Sequence, residues 1–167
     1  QSIEVFNSLD TNARAQEHIQ TAVALCRVLR DKGEYDRAKE QAQAILDLPY
    51  AEIIGEDSEE ILGTKAILSD VARLTLEGDH LQLRREVMAG VETGGRVSRE
   101  FELGAQVDLA QALFFEHIFS GDEERAQTQH LKEATDLNET ASQAADAELG
   151  HMHPVTIKAR GLTNSMA

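Results

Sequence analysis

The chain is poor in the residues that staple and punctuate small proteins. It has one cysteine, Cys26, so no internal disulfide forms and no cysteine-based zinc site can be assembled. Its two prolines are Pro49 and Pro154, and the long stretch between them is free of that helix breaker. Tryptophan is absent, and aromatic residues make up 4% of the chain. Basic residues number 16 against 30 acids, for a net charge of −14. A field of that sign repels phosphate backbones and anionic lipid, which argues against a general nucleic-acid binder or a membrane-surface protein. No apolar run approaches the length of a membrane-spanning helix, so no membrane insertion is expected.

What is present points to helices. The 167 residues include 22 alanines and 18 leucines, strong helix formers, and few of the aromatic residues that favour strands. Between Thr21 and Leu48 the apolar residues Ala22, Leu25, Cys26, Leu29, Ala38, Ala42, Ile45 and Leu46 recur at spacings of three and four. The pattern breaks once, at Lys32-Gly33-Glu34, and so predicts two helices joined by a glycine turn. The same shape returns around Glu77-Gly78-Asp79 and again around Ser120-Gly121-Asp122. No alternating stretch of strand length competes, and the fold class expected is all-α.

The turn glycines Gly33, Gly78 and Gly121 lie at nearly even intervals. Gly33-Glu34-Tyr35-Asp36-Arg37-Ala38 and Gly121-Asp122-Glu123-Glu124-Arg125-Ala126 are near copies. Helical hairpins recurring at a fixed period predict a solenoid, because one hairpin cannot bury its apolar face alone. The spacing from Gly55 to Val71-Ala72 is repeated from Gly150 to Met166-Ala167, which predicts the opening of a further hairpin.

Leu25-Cys26 followed by Gly33-x-Tyr35-x-x-Ala38 resembles the tetratricopeptide (TPR) signature, in which a large and a small residue, a turn glycine, an aromatic and an alanine pack a hairpin. Leu113-Phe114, Gly121 and Ala126 form a looser copy, with Glu123 in the aromatic's place. Leu149-Gly150-x-x-His153-Pro154-x-Thr156 is similar to the segment between the longer repeats of kinesin-light-chain-like TPR proteins. The resemblance implies a right-handed α-solenoid of antiparallel hairpins, about three and a half repeats long. The organisation expected is an N-terminal extension over 1–9 and a repeat domain over 10–167. Its repeats span about 10–50, 51–95 and 96–149, and a fourth begins at 150–167. The third is stretched, and its extra length is expected in the helix starting near Asp122.

Residues that could carry chemistry have structural readings that fit better. A catalytic site needs a nucleophile, a base and an orienting group. Cys26 falls on the small-residue packing position of the first hairpin, where a buried, inert thiol is expected. His151 and His153 could ligate a metal, yet His153-Pro154 matches the inter-repeat segment, where proline opens a helix. His117 is expected to pack between helices or to line a groove. Glu77 and His80 straddle a turn and share no helical face. Thr93-Gly94-Gly95-Arg96 follows a helix rather than a strand and lacks the Lys-Ser/Thr ending of a phosphate loop. The acids Glu52, Glu56, Asp57, Glu59 and Glu60 lack the spacing of a calcium loop, and near Ser58 they read as a capped, acidic helix start. No enzyme activity, metal or cofactor is expected.

The TPR resemblance implies that the first helix of each hairpin lines a concave groove. Carried over by position, the groove would hold Gln20, Val23, Arg27 and Arg30, then Ser69 and Arg73, then Gln111 and Phe115, and finally Asn164. Arginines on inner helices of an acidic protein suit carboxylates, which they bind bidentately. The function expected is therefore a non-catalytic interaction scaffold for an acidic or aromatic-acidic peptide, or for a neighbouring subunit, with Phe119 adding apolar contact. The competing reading is that these arginines neutralise acids of the chain itself. Alternatives of other classes are a regulatory or sensor domain of a larger chain and a structural subunit of a complex. The chain opens at Gln1 and stops within a helical pattern, which predicts a processed chain or a piece of a longer one. Self-association through the open C-terminal repeat is a further expectation. A cytoplasmic setting is favoured, with an organelle lumen after leader removal as the alternative.

Overall fold

Every regular element described in the computed structural model is helical; the structure describes the backbone at residues 2–94, 97–119 and 124–166 and side chains at 13–94, 97–119 and 127–166. Eight helices follow in chain order: α1 (Ser2–Asp31), α2 (Tyr35–Asp47), α3 (Tyr50–Ile54), α4 (Glu59–Thr75), α5 (His80–Gly94), α6 (Arg99–Phe119), α7 (Glu124–Glu148) and α8 (Pro154–Met166). Among the described residues there is no strand, and no helix is long and apolar enough to cross a membrane. Helix α1 runs without a break from Ser2, so the expected boundary after residue 9 falls inside a helix.

Local chemistry sets the ends of these helices. Gly33 and Gly78 both take φ of 79°, the left-handed conformation that a glycine adopts without steric cost. Gly121, the third expected turn, lies outside the described residues. The Ser58 hydroxyl accepts from Ile61 N–H at 3.4 Å, and Glu59 and Glu60 occupy the first turn of α4. Asp79 Oδ1 accepts from Gln82 N–H at 2.8 Å to cap α5, and Ser98 Oγ accepts from Phe101 N–H at 3.2 Å to cap α6. Helix α8 starts on Pro154, with His153 Nδ1 accepting from Val155 N–H at 3.3 Å. The short helix α3 was not anticipated by the periodicity, since five residues are too few to show a period.

Helix α1 packs against α2, α4 against α5, α6 against α7, and α2, α5 and α7 in turn pack against α4, α6 and α8. Contacts between α1, α4 and α6 give their relative direction. Gln20 Nε2 donates to Glu60 Oε1 at 2.9 Å, and further along Arg30 Nη1 donates to Asp70 Oδ2 at 2.5 Å. The Glu59 carboxylate accepts from Ser98 N–H at 2.8 Å, and the Arg73 guanidinium lies 5.9 Å from the Phe115 ring centroid. Residue numbers climb together across each pair, so α1, α4 and α6 run parallel. Alanine makes close packing possible: Ala38, Ala42, Ala110, Ala134, Ala141, Ala145 and Ala159 are all fully buried. One apolar cluster joins α1, α2 and α4 around Ile19, Cys26, Ile45, Ile67 and Val71. A second joins α4 to α7 around Leu62, Val87, Leu109, Leu113 and Ala134.

Candidate functional site

Three helices meet around one cleft. Arg73 of α4, Gln111, Phe114, Phe115, Ile118 and Phe119 of α6, and Lys158, Gly161, Leu162 and Ser165 of α8 line about 450 Å³ of open space. That volume falls within the range of about 300–1,000 Å³ usual for ligand pockets. Each wall is one helical face. On α6 the lining residues are spaced three and four apart, and on α8 the positions 158, 161, 162 and 165 repeat that spacing. Phe115 and Phe119 lie with ring centroids 4.5 Å apart, and Ile118 and Phe119 are 51% and 68% exposed, so the mouth of the cleft is apolar. Arg73 sits over the face of Phe115, a cation–π arrangement that leaves its guanidinium fork open to an anion.

Behind Phe115, outside the cleft lining, stands a buried histidine. His80 meets the Phe115 ring edge-on at 5.3 Å. His80 is 6% exposed and its Nε2 lies 2.9 Å from Glu116 Oε1, at ion-pair distance but outside hydrogen-bond alignment. The Ser69 hydroxyl donates to the His80 carbonyl oxygen at 2.7 Å, tying α4 to the start of α5.

The structure sorts the expected groove residues into distinct fates. Arg73, Gln111 and Phe115 come together in the cleft. Arg27 is exposed and lies outside the cleft lining, beside Gly63. Gln20 is exposed but engaged with Glu60, and Asn164 is exposed on α8 outside the lining. Two assignments are corrected. Val23 is 4% exposed within the first apolar cluster, and Ser69 is 2% exposed beneath α5. Both point into helix packing rather than toward a groove, because apolar and small residues on those faces are claimed by the neighbouring helix.

Arg30 shows the neutralising role weighed against peptide binding. It pairs with Asp70 and with Asp31, the latter at 2.9 Å. Burial alone would lower its pKa, but the two carboxylates outweigh burial and raise it. A chain of charges continues from there. Arg84 of α5, with its side chain 5% exposed, contacts Asp70 through Nη2 and Asp108 of α6 through Nη1 at 2.9 Å, and Asp108 also holds Lys158 of α8. Single-sequence periodicity could not reveal these pairings, since the partners lie on different helices far apart in the chain. By contrast Ile118, Gly161, Leu162 and Ser165 were legible in principle, as members of helical stripes that include Phe115 and Lys158.

The remaining candidates keep structural roles. Cys26 is fully buried, and burial pushes its thiol pKa up despite a backbone hydrogen bond that lowers it. His117 Nδ1–H donates to the Gln127 carbonyl at 2.9 Å, joining α6 to α7. His153 caps α8 and approaches Glu100 at 3.5 Å. Glu60 accepts from Gln20 and Gln16; burial alone would raise its pKa, but these hydrogen bonds, with one from backbone, bring it below the usual value. Among the described residues no group of three or more His, Cys, Asp or Glu stands ready to hold a metal ion. Comparison with protein-family models, curated proteins and solved structures gives no match.

Proposed function

We propose that this chain is a non-catalytic binding module, a right-handed α-solenoid of TPR-like hairpins that holds an acidic or aromatic-acidic peptide segment on its inner helices. The observation that carries this reading is the Arg73 guanidinium, without a carboxylate partner among the described residues, poised over Phe115 at the edge of an apolar-walled cleft. The parallel course of α1, α4 and α6, with α2, α5 and α7 each packed against the next of the α4, α6 and α8 series, supports the solenoid. Affinity would come from a carboxylate paired bidentately with Arg73 and from an apolar side chain against Phe115 and Phe119. No bond is made or broken in this reading.

The test is binding to an array of acidic-and-aromatic peptides, repeated with Arg73→Glu and Arg27→Glu. Selective binding that disappears on charge reversal at Arg73 is the expected result. A monomeric, fully helical protein that binds none of the peptides overturns the proposal. Concentration-dependent self-association in its place would point to the exposed Ile157 face of α8 as a subunit contact.

A further inference from the structure

Arg30, Asp70, Arg84, Asp108 and Lys158 alternate in sign, and they come from α1, α4, α5, α6 and α8. Each member contacts the next, so a continuous ionic path crosses from the first hairpin to the wall of the cleft. Exposure is lowest at the centre, 5% for the Arg84 side chain, and rises through 21% and 24% at Asp70 and Asp108 to 25% and 44% at Arg30 and Lys158. The buried middle is therefore poorly screened, and the Arg84 charge rests on Asp70 and Asp108 together. Lys158 at one end lines the cleft, while Arg30 at the other belongs to the first apolar cluster's helix.

We infer that these five side chains act as a single electrostatic brace, which makes α1 and α8 one mechanical unit and transmits displacement of the cleft wall to the first hairpin. Ordinary stacked hairpins behave otherwise. Their stability is a sum of local terms and nearest-neighbour interfaces, so a change in the first hairpin is felt mainly by the next. The brace adds a long-range term, because loosening Arg30 frees Asp70 to rearrange around Arg84, and Arg84 in turn shifts its hold on Asp108 and Lys158. An anion captured by Lys158 would act on the same path from the other end. The inference stands on the ion pairs alone and does not require the peptide reading.

Hydrogen–deuterium exchange of the whole chain tests it. Arg30→Met is compared with Ile45→Val, a first-hairpin core variant outside the brace, each measured the same number of degrees below its own Tm. The expected result is amide exchange in α8 that is at least about threefold faster in Arg30→Met than in Ile45→Val. The reverse variant, Lys158→Met, is expected to speed exchange in α1 relative to wild type more than in α7, although α7 is the direct neighbour of α8. Exchange at α8 that matches between Arg30→Met and Ile45→Val overturns the brace, as does a Lys158→Met effect confined to α7 and α8. Both variants remove end members that are partly exposed, so the test does not depend on the buried Arg84 tolerating substitution.

Discussion

Arg73 and Arg84 sit on successive helices of the same region and have opposite circumstances. Arg84 is 4% exposed and meets two carboxylates, Asp70 and Asp108. Arg73 is half-buried at the cleft edge, where it lies over the face of Phe115, and among the described residues it has no carboxylate partner. The difference follows from solvation. A guanidinium taken out of water must be paired, or it carries a penalty of several kcal/mol. One that keeps contact with water can remain without a carboxylate and stay available to a partner. The ionic path and the cleft thus use the same residue types for opposite ends: one region spends its charges on itself, and the other leaves a cation uncommitted. Lys158 belongs to both, since it lines the cleft while Asp108 holds it.

The sharpest way to break this comparison is Arg84→Met. Removing the shared cation leaves Asp70 and Asp108 without their central partner, and a loss of about 3–5 kcal/mol is expected in urea unfolding. Arg73→Met, in contrast, should stay within about 0.5 kcal/mol of wild type in the same assay, because no carboxylate is stranded. Equal losses for the two variants would dissolve the distinction between the paired and the free arginine.

Two glycines sharpen the same contrast between filled and open space. A Cβ at Gly90 would stand 2.5 Å from Leu62 Cδ2, within a packed interface, whereas a Cβ at Gly161 would meet nothing within 4 Å. Gly90→Ala should destabilise by about 1–3 kcal/mol through overpacking. Gly161→Ala should be neutral or stabilising by up to about 1 kcal/mol, as expected for replacing glycine inside a helix that faces open space. Thermal melts of the pair would show the opposite order if α8 were packed tightly at the cleft.

A smaller effect is expected at Glu60, in the first turn of α4 and away from the cleft. Its folded pKa is lowered, so its stabilising contribution is present above the unfolded value of about 4.3 and is lost as pH falls through the folded value. Gln20→Ala removes one of the bonds that hold the carboxylate charged and should shift its NMR titration toward higher pH. The smallest effect concerns Cys26. Its buried thiol should react with a thiol reagent only as fast as the protein opens, and fast labelling of the native state would show the first apolar cluster to be loosely packed.

Much of the local architecture was readable from residue spacing. The three-and-four periodicity around Leu25, Ala38, Ile67 and Val87 marked helices, Gly33 and Gly78 marked turns, and Ser58 and His153-Pro154 marked helix starts. Helix α7 runs for 25 residues against 13 in α2. The candidate site was only half readable. Arg73, Gln111 and Phe115 meet in the cleft, but Val23 and Ser69 are buried, and Arg30 is engaged by Asp70. Phe114, Ile118, Gly161 and Leu162 were not among the expected groove residues, because a helical stripe announces a face without saying what it faces.

The sequence by itself determined where helices begin and end, since capping, turn conformation and apolar period act within a few residues of chain. It also determined the excess of acid over base, and with it the supply of carboxylates. Only the tertiary structure decided how those carboxylates are shared out. Coulomb attraction and desolvation depend on distance and burial in space, so Asp70 and Asp108 could be matched to Arg30, Arg84 and Lys158 only once α1, α4, α5, α6 and α8 were side by side. The same packing left Arg73 over Phe115 with its fork open.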